Sequence, residues 1–314
     1  MTRLAALTGG TGFLGRHVIR ELAEQGFGVR ILARSTPDLP ELADVPIDVI
    51  RGDLGDEAAL SALASGAEIF IHIAGVVKAA TRQGFMGPNR DGAARAARVW
   101  ARTAPVDGRF VLISSMAARM PELSHYAASK RAGEDAVATE LVDRDWRVLR
   151  PGAIYGRHDQ ESLKVLKLSN APLQLMLNAR SARIAMVDAR DAARAVVNAA
   201  QDSAPGAVHE ISDARLDGYC WDELAAIAAK ALGRTPRAVR LPAVVLKVAG
   251  AVGGSLAAVT GSAEMLTQGK VREILHPDWS VHPDHALPAS IYQPSIALED
   301  GLADMAAASG LLRR

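Results

Sequence analysis

A chain of 314 residues exceeds what one minimal core needs and reads as one large domain with a smaller attached region. Its 36 basic and 35 acidic residues leave a net charge of +1, which argues against a nucleic-acid or acidic partner. The single cysteine, Cys220, excludes an internal disulfide, and the chain opens without the basic stretch and apolar run of a secretory leader, so a cytoplasmic location is expected.

The first predicted element is a strand at Leu4-Ala5-Ala6-Leu7, an apolar run suited to burial on both faces. A helix is predicted from Phe13 to Gln25, where Phe13, Leu14, Val18, Ile19 and Leu22 recur at helical spacing. Between them runs Thr8-Gly9-Gly10-Thr11-Gly12-Phe13-Leu14-Gly15. A glycine-rich turn leading from a strand into a helix is a dinucleotide-phosphate cradle. Gly9 and Gly12 let the backbone approach a pyrophosphate, Gly15 lets the helix pack closely on the strand, and the helix N-terminus offers N–H groups and a positive dipole end. Thr11, Phe13 and Leu14 complete the cofactor-binding set of this loop.

Further strands are predicted at Val29 to Ala33, Ile47 to Ile50, Ile69 to Ile73, Phe110 to Ile113 and Trp146 to Leu149, with helical stretches between them. That alternation predicts a doubly wound parallel sheet, whose ligands lie at the carboxyl ends of the strands. After the second strand stands Arg34, 19 residues beyond Gly15, where an NAD-preferring site carries an acid for the ribose 2′-hydroxyl. A guanidinium there pairs with a 2′-phosphate, so NADP(H) is expected over NAD(H); the competing reading is a solvated surface arginine. Arg51-Gly52-Asp53-Leu54 closes the third strand, and Asp53 either accepts from the adenine amino group or caps the helix beginning near Asp56. The fourth strand ends in Ala74-Gly75, small enough for ribose and diphosphate to pass close to the backbone.

The fifth strand delivers Ser114-Ser115, and Tyr126-Ala127-Ala128-Ser129-Lys130 then opens a helix. Tyr126 and Lys130 stand four apart, on one helical face. A tyrosine hydroxyl ionises near pH ~10, and a neighbouring ammonium favours the phenolate and lowers that value. Ser115 can hold a substrate oxygen while Tyr126 passes a proton. These three are the candidate catalytic residues. Past Pro151 the rhythm loosens. The expected division is a nucleotide-binding domain over 1–157, with part of 183–212 returning to it, and a substrate-binding and lid region over 158–314.

In that region Trp221 to Leu232 has the pattern of an amphipathic helix. Leu241 to Gly261 is mostly apolar but broken by Lys247, Gly250, Gly253 and Gly254, which argues for a buried or lid-forming helix pair over the substrate pocket and against a membrane span of ~20 apolar residues. His276-Pro277-Asp278 and His282-Pro283-Asp284-His285 lack an adjoining cysteine or acidic cluster and read as loops, with no metal site.

Taken together, the glycine loop, the Asp53 turn, Asn89-Arg90-Asp91-Gly92, Ser115 with Tyr126 and Lys130, Arg150-Pro151-Gly152-Ala153-Ile154-Tyr155-Gly156 and Val187-Asp188-Ala189-Arg190-Asp191 resemble the extended, epimerase/dehydratase-like branch of the short-chain dehydrogenase/reductase family. The resemblance spans most of residues 2 to about 240. It implies an α/β fold: a Rossmann-like doubly wound parallel sheet with a smaller C-terminal substrate-binding region. It also implies a Ser/Tyr/Lys site acting with a nicotinamide dinucleotide, Lys130 holding the nicotinamide ribose, and Pro151 to Ile154 flanking the nicotinamide. Asn89 either assists the site or fixes a helix bend. In relatives of this type the helices after Asn89 and Tyr126 form dimer contacts, so a homodimer is compatible with the sequence.

Three departures from the branch narrow the expectation. Met116 follows Ser115 where sugar-nucleotide dehydratases place an acid. Arg34 occupies the position at which epimerases with tightly held NAD carry one. The Ser115 to Tyr126 interval is short and lacks the branch's Tyr-Gly element. The sequence therefore reads as an NADP(H)-dependent reductase or dehydrogenase acting on a small-molecule carbonyl or alcohol, apolar or ring-containing as in the branch's steroid- and flavonoid-reducing members. A sugar-nucleotide epimerase and a non-catalytic NADP-sensing protein are the alternatives.

Overall fold

The computed structural model describes residues 3–169, 173–177, 182–235, 237–241, 244 and 267–311. Its centre is a seven-stranded sheet: β1 (Leu4–Thr8), β2 (Gly28–Ala33), β3 (Ile47–Arg51), β4 (Ile69–His72), β5 (Arg109–Ile113), β6 (Asp145–Pro151) and an edge strand, Val208–Ile211. Their order from that edge is Val208–Ile211, β6, β5, β4, β1, β2, β3, and the pairings from β6 through β3 are parallel. Chain order reverses between β1 and β4, so the carboxyl ends of those strands flank the crevice that such a sheet offers a ligand.

The strands form because their residues can be buried on both faces: β4 is buried at every position, and β1 and β5 at all but their first. On one face Phe70, Phe110 and Leu112 pack with Leu60 and Leu63 of α2 (Glu57–Ala64), Ala93, Ala97 and Trp100 of α4 (Gly92–Thr103), and Val137 of α5 (His125–Glu140). The Phe70 and Phe110 rings stack 5.2 Å apart and Trp100 tilts against Phe70 at 5.4 Å, contacts each contributing about 0.5–1.5 kcal/mol beyond burial. The opposite face is closed by α1 (Phe13–Glu24), which buries Leu14, Val18, Ile19 and Leu22. A short helix α3 (Arg82–Met86) and one π-helical turn, Gly87–Asp91, lead into α4.

The chain divides into two compact units. The first holds Met1–Arg150, Ala193–His209 and Leu287–Tyr292. The second holds Pro151–Ala192, Glu210–Ala286 and Gln293–Arg314. The division thus falls at Arg150, seven residues before the boundary drawn from the sequence, and the returning stretch is Ala193–His209. Within the second unit, Ala153–Tyr155 pairs in parallel with Met186–Asp188, and the latter runs straight into a helix, Ala189–Asp202, of which the second unit holds the first turn. Asp188 fixes that turn by accepting from the Arg190 backbone at 2.9 Å, and the Asp191 carboxylate accepts from the backbones of Ser295 and Ile296 at 2.8 and 2.9 Å. The expected amphipathic helix spans Trp221–Ala231 and packs with Leu298, Leu302 and Met305 around Tyr155 and Tyr219.

Candidate active site

The cradle is built from the backbone up. Gly9 has a φ of +75°, and a Cβ there would stand 2.6 Å from the Ala74 nitrogen, so only glycine lets the turn lie against the end of β4. A Cβ on Gly15 would stand 2.2 Å from the Gly9 carbonyl oxygen and 2.7 Å from the Gly10 Cα. Gly15 therefore packs the helix against the turn itself, whereas the sequence reading set it against the strand. The Gly12 nitrogen donates to the Gly9 carbonyl at 3.0 Å, which closes the loop, and Gly12 caps α1 without a side chain. Asp56, Thr81 and Ser124, by contrast, cap α2, α3 and α5 with their own oxygens. The first turn of α1 also carries no acid, so no side chain of its own takes up its N–H groups beside exposed Thr11 and half-buried Phe13. That is the surface a pyrophosphate requires, and the residues present fit a dinucleotide.

At the next strand ends, Arg34 is exposed. Asp53 is exposed and accepts from the Gly55 nitrogen at 2.7 Å, while the capping of α2 falls to Asp56, which accepts from Ala59 at 2.9 Å. The capping alternative for Asp53 is thereby replaced by a local turn. Leu54 presents its carbonyl to Arg95 at 2.7 Å and its side chain to Gly92. Ala74 donates weakly to Thr8 Oγ1 at 3.4 Å.

Ser115 caps a 3-10 turn, Met116–Arg119, accepting from the Ala117 nitrogen at 3.2 Å, and its hydroxyl proton is left for another acceptor. This turn shortens the path to Tyr126, the second residue of α5, whose ring meets Phe85 edge-on with centroids 6.1 Å apart. Lys130, one turn further, donates its Nζ to the Ile113 carbonyl at 2.7 Å, at the very end of β5. Burial pulls the Lys130 ammonium down from 10.5 to about 8, and the Glu134 carboxylate opposes that shift.

Sequence reasoning missed the support beneath this lysine. Glu134 is buried and accepts from Ser114 Oγ, and Arg150 donates to its two oxygens at 2.9 and 2.6 Å. The available signal was the four-residue spacing Tyr126, Lys130, Glu134 on one helix face. Asn89 is spent on structure: its amide nitrogen donates to the Val76 carbonyl and to Ser129 Oγ, both at 2.9 Å, and its oxygen accepts from the Val76 nitrogen at 2.8 Å. Ser129 Oγ in turn donates to the Tyr126 carbonyl at 2.7 Å. Asn89 thus fixes the bend. Beside the cradle, His72 is fully buried with Nδ1 2.9 Å from Thr8 Oγ1, and burial, aided by the Lys130 charge, pushes it down to about 3.

Of the remaining sequence-picked positions, Pro151 ends β6 and Ile154 lies in Ala153–Tyr155, both within the second unit. Apart from Leu241 and Val244, the Leu241 to Gly261 stretch lies outside the described residues. Among the described residues no helix is long and apolar enough to cross a membrane. His276 and His282 cap local turns, accepting from Asp278 and Asp284 at 3.2 and 3.3 Å.

The sheet and its cradle define a dinucleotide-binding protein, and known proteins say which kind. Residues 5–212 match the model of the NAD dependent epimerase/dehydratase family. The chain belongs to that family, the extended short-chain dehydrogenases/reductases. It is 44% identical over 298 residues to a ceramide reductase of Caulobacter vibrioides, covering 95% of this chain and 92% of the relative. Among solved structures it is similar to gox2253 (TM-score 0.77, 19% identity, all of both chains). A UDP-glucose 4-epimerase of Thermotoga maritima with UDP-glucose gives a TM-score of 0.71 at 17% identity over 97% of each chain. At these identities the two structures speak to the fold.

Proposed function

We propose that the protein is an NADPH-dependent reductase of a carbonyl group on a long-chain, ceramide-like lipid. The observation that carries the redox reading is Arg34 at the end of β2, with no acid in its place. The lipid reading is supported by the 44% identity to a ceramide reductase over nearly the whole of both chains.

When bound, the nicotinamide supplies the hydride that reduces the carbonyl carbon. The glycine loop from Gly9 to Leu14, with Asp53, Leu54 and Ala74, would hold the adenosine and diphosphate, and Pro151 and Ile154 would flank the ring. Ser115 donates its hydroxyl proton in a hydrogen bond to the substrate oxygen and positions it. Tyr126 transfers its phenolic proton to that oxygen as charge develops there, leaving an alcohol product and a phenolate. Lys130, held by the Ile113 carbonyl at 2.7 Å, keeps a positive charge near the phenolate and donates to the nicotinamide ribose. Asn89 and Ser129 hold the first turn of α5, and hence Tyr126, in place.

The test is to incubate the purified protein with NADPH and a keto-ceramide in mixed micelles, following cofactor oxidation and the lipid product by mass spectrometry. NADPH loss matched by alcohol formation supports the reading. A retained nucleotide, with interconversion of UDP-sugars and no net NADPH loss, refutes it in favour of the epimerase alternative.

A further inference from the structure

The strand register brings a second arginine beside the first. Ala33 of β2 pairs with Arg51 of β3, and the Gly52 nitrogen donates to the Ala33 carbonyl at 3.0 Å, so the ladder runs to the point where Arg34 leaves the sheet. Parallel strands lie about 4.8 Å apart, which makes Arg34 and Arg51 neighbours on the carboxyl edge. Both are exposed, and among the described residues neither guanidinium has a hydrogen-bond or ion-pair partner. Other arginines of β2 and the neighbouring α1 do not stand this way: Arg30 pairs with Asp48, Arg16 with Glu41 and Arg20 with Asp44, each at 2.6 Å. The nearby acids are engaged locally, Asp53 with Gly55 and Asp56 with Ala59.

Guanidiniums drawn together at one strand edge repel one another, and a doubly charged anion placed between them relieves that repulsion. A phosphate monoester carries about −1.5 to −2 charges and three acceptor oxygens at neutral pH, more than one guanidinium fork satisfies. We infer that Arg51 is a second specificity-determining residue, clamping the 2′-phosphate of NADPH together with Arg34. Arg51 is the register partner of Ala33, and Arg34 follows Ala33 out of the ladder, so both arginines stand at the carboxyl edge where such a sheet takes its ligands. The inference rests on the NADP(H) reading above.

The test is calorimetric titration of the wild type, Arg34→Ala, Arg51→Ala, Arg51→Lys and the double alanine variant with NADPH, NADH and 2′,5′-ADP. Arg51→Ala is expected to weaken NADPH and 2′,5′-ADP by ~10-fold or more and to leave NADH and the melting temperature unchanged, since Arg51 holds nothing else in the fold. Arg51→Lys should retain part of the affinity, and the double variant should bind NADPH no better than NADH. A wild type that prefers NADPH, with the preference erased by Arg34→Ala and untouched by Arg51→Ala, overturns the inference and leaves the cofactor reading standing. Equal affinity of the wild type for NADPH and NADH overturns both.

Discussion

In the proposed mechanism Lys130 meets two demands with one ammonium: it must stay charged to hold a phenolate and a ribose, and it is buried, which favours the neutral form. With its value near 8, the lysine is protonated at neutral pH and titrates just above it. For the reduction direction, kcat/KM should hold below that pH and fall as pH rises through about 8, where an exposed lysine would titrate near 10.5. A pH–rate profile flat to pH ~10 would contradict this role. At the same site Tyr126→Phe removes the proposed proton donor while keeping the ring against Phe85. Turnover should drop by at least ~10²-fold with NADPH affinity retained, and near-normal turnover would remove Tyr126 from the mechanism.

The element scale is where α5 meets the ends of β5 and β6. Ser114 and Arg150 both bind the buried Glu134 carboxylate, one helical turn beyond Lys130. Glu134→Gln strips the charge from a buried pair and leaves Arg150 without it, at a cost of about 3 kcal/mol, to be read from denaturant unfolding. Loss of less than ~1 kcal/mol would show the pair to be solvated in practice. At the end of β4, His72 contributes the opposite kind of pH dependence. Its folded value, about 3, lies below the ordinary 6.5, so the unfolded chain takes up the proton first. Stability from this residue is present above pH 6.5 and is lost as pH falls toward 3. Thermal unfolding between pH 7 and ~4 should fall less steeply in His72→Gln than in the wild type, and identical slopes would contradict the assignment.

These elements also show what a sequence reveals. The sheet strands were legible because burial on both faces makes each a short continuous apolar run, and the cradle because its glycines sit between one such strand and an amphipathic helix. The Glu134–Arg150 pair was not, since its partners stand 16 residues apart and meet only when β6 aligns beside β5. The turn at Gly87–Asp91 carries no sequence signal of its own, because Gly84, Gly87 and Pro88 disfavour a helix by propensity and yet the chain continues helical. Strands of two or three residues, such as Arg183–Ile184 and Met186–Asp188, are too short for any alternation to register.

For the molecule as a whole, the reading joins an exchangeable NADPH to the carbonyl of an apolar lipid. An epimerase returns its hydride to the same substrate and keeps its nucleotide, whereas a reductase leaves the hydride in its product, so the fate of that one hydrogen separates the two accounts. The decisive measurement is mass spectrometry of the lipid formed from a keto-ceramide and NADPH deuterated at nicotinamide C4 on the transferred face. The account predicts one deuterium on the new carbinol carbon of every product molecule, with an equal amount of NADP⁺ released. An unlabelled product, or a protein that retains its nucleotide while the lipid is unchanged, would contradict it.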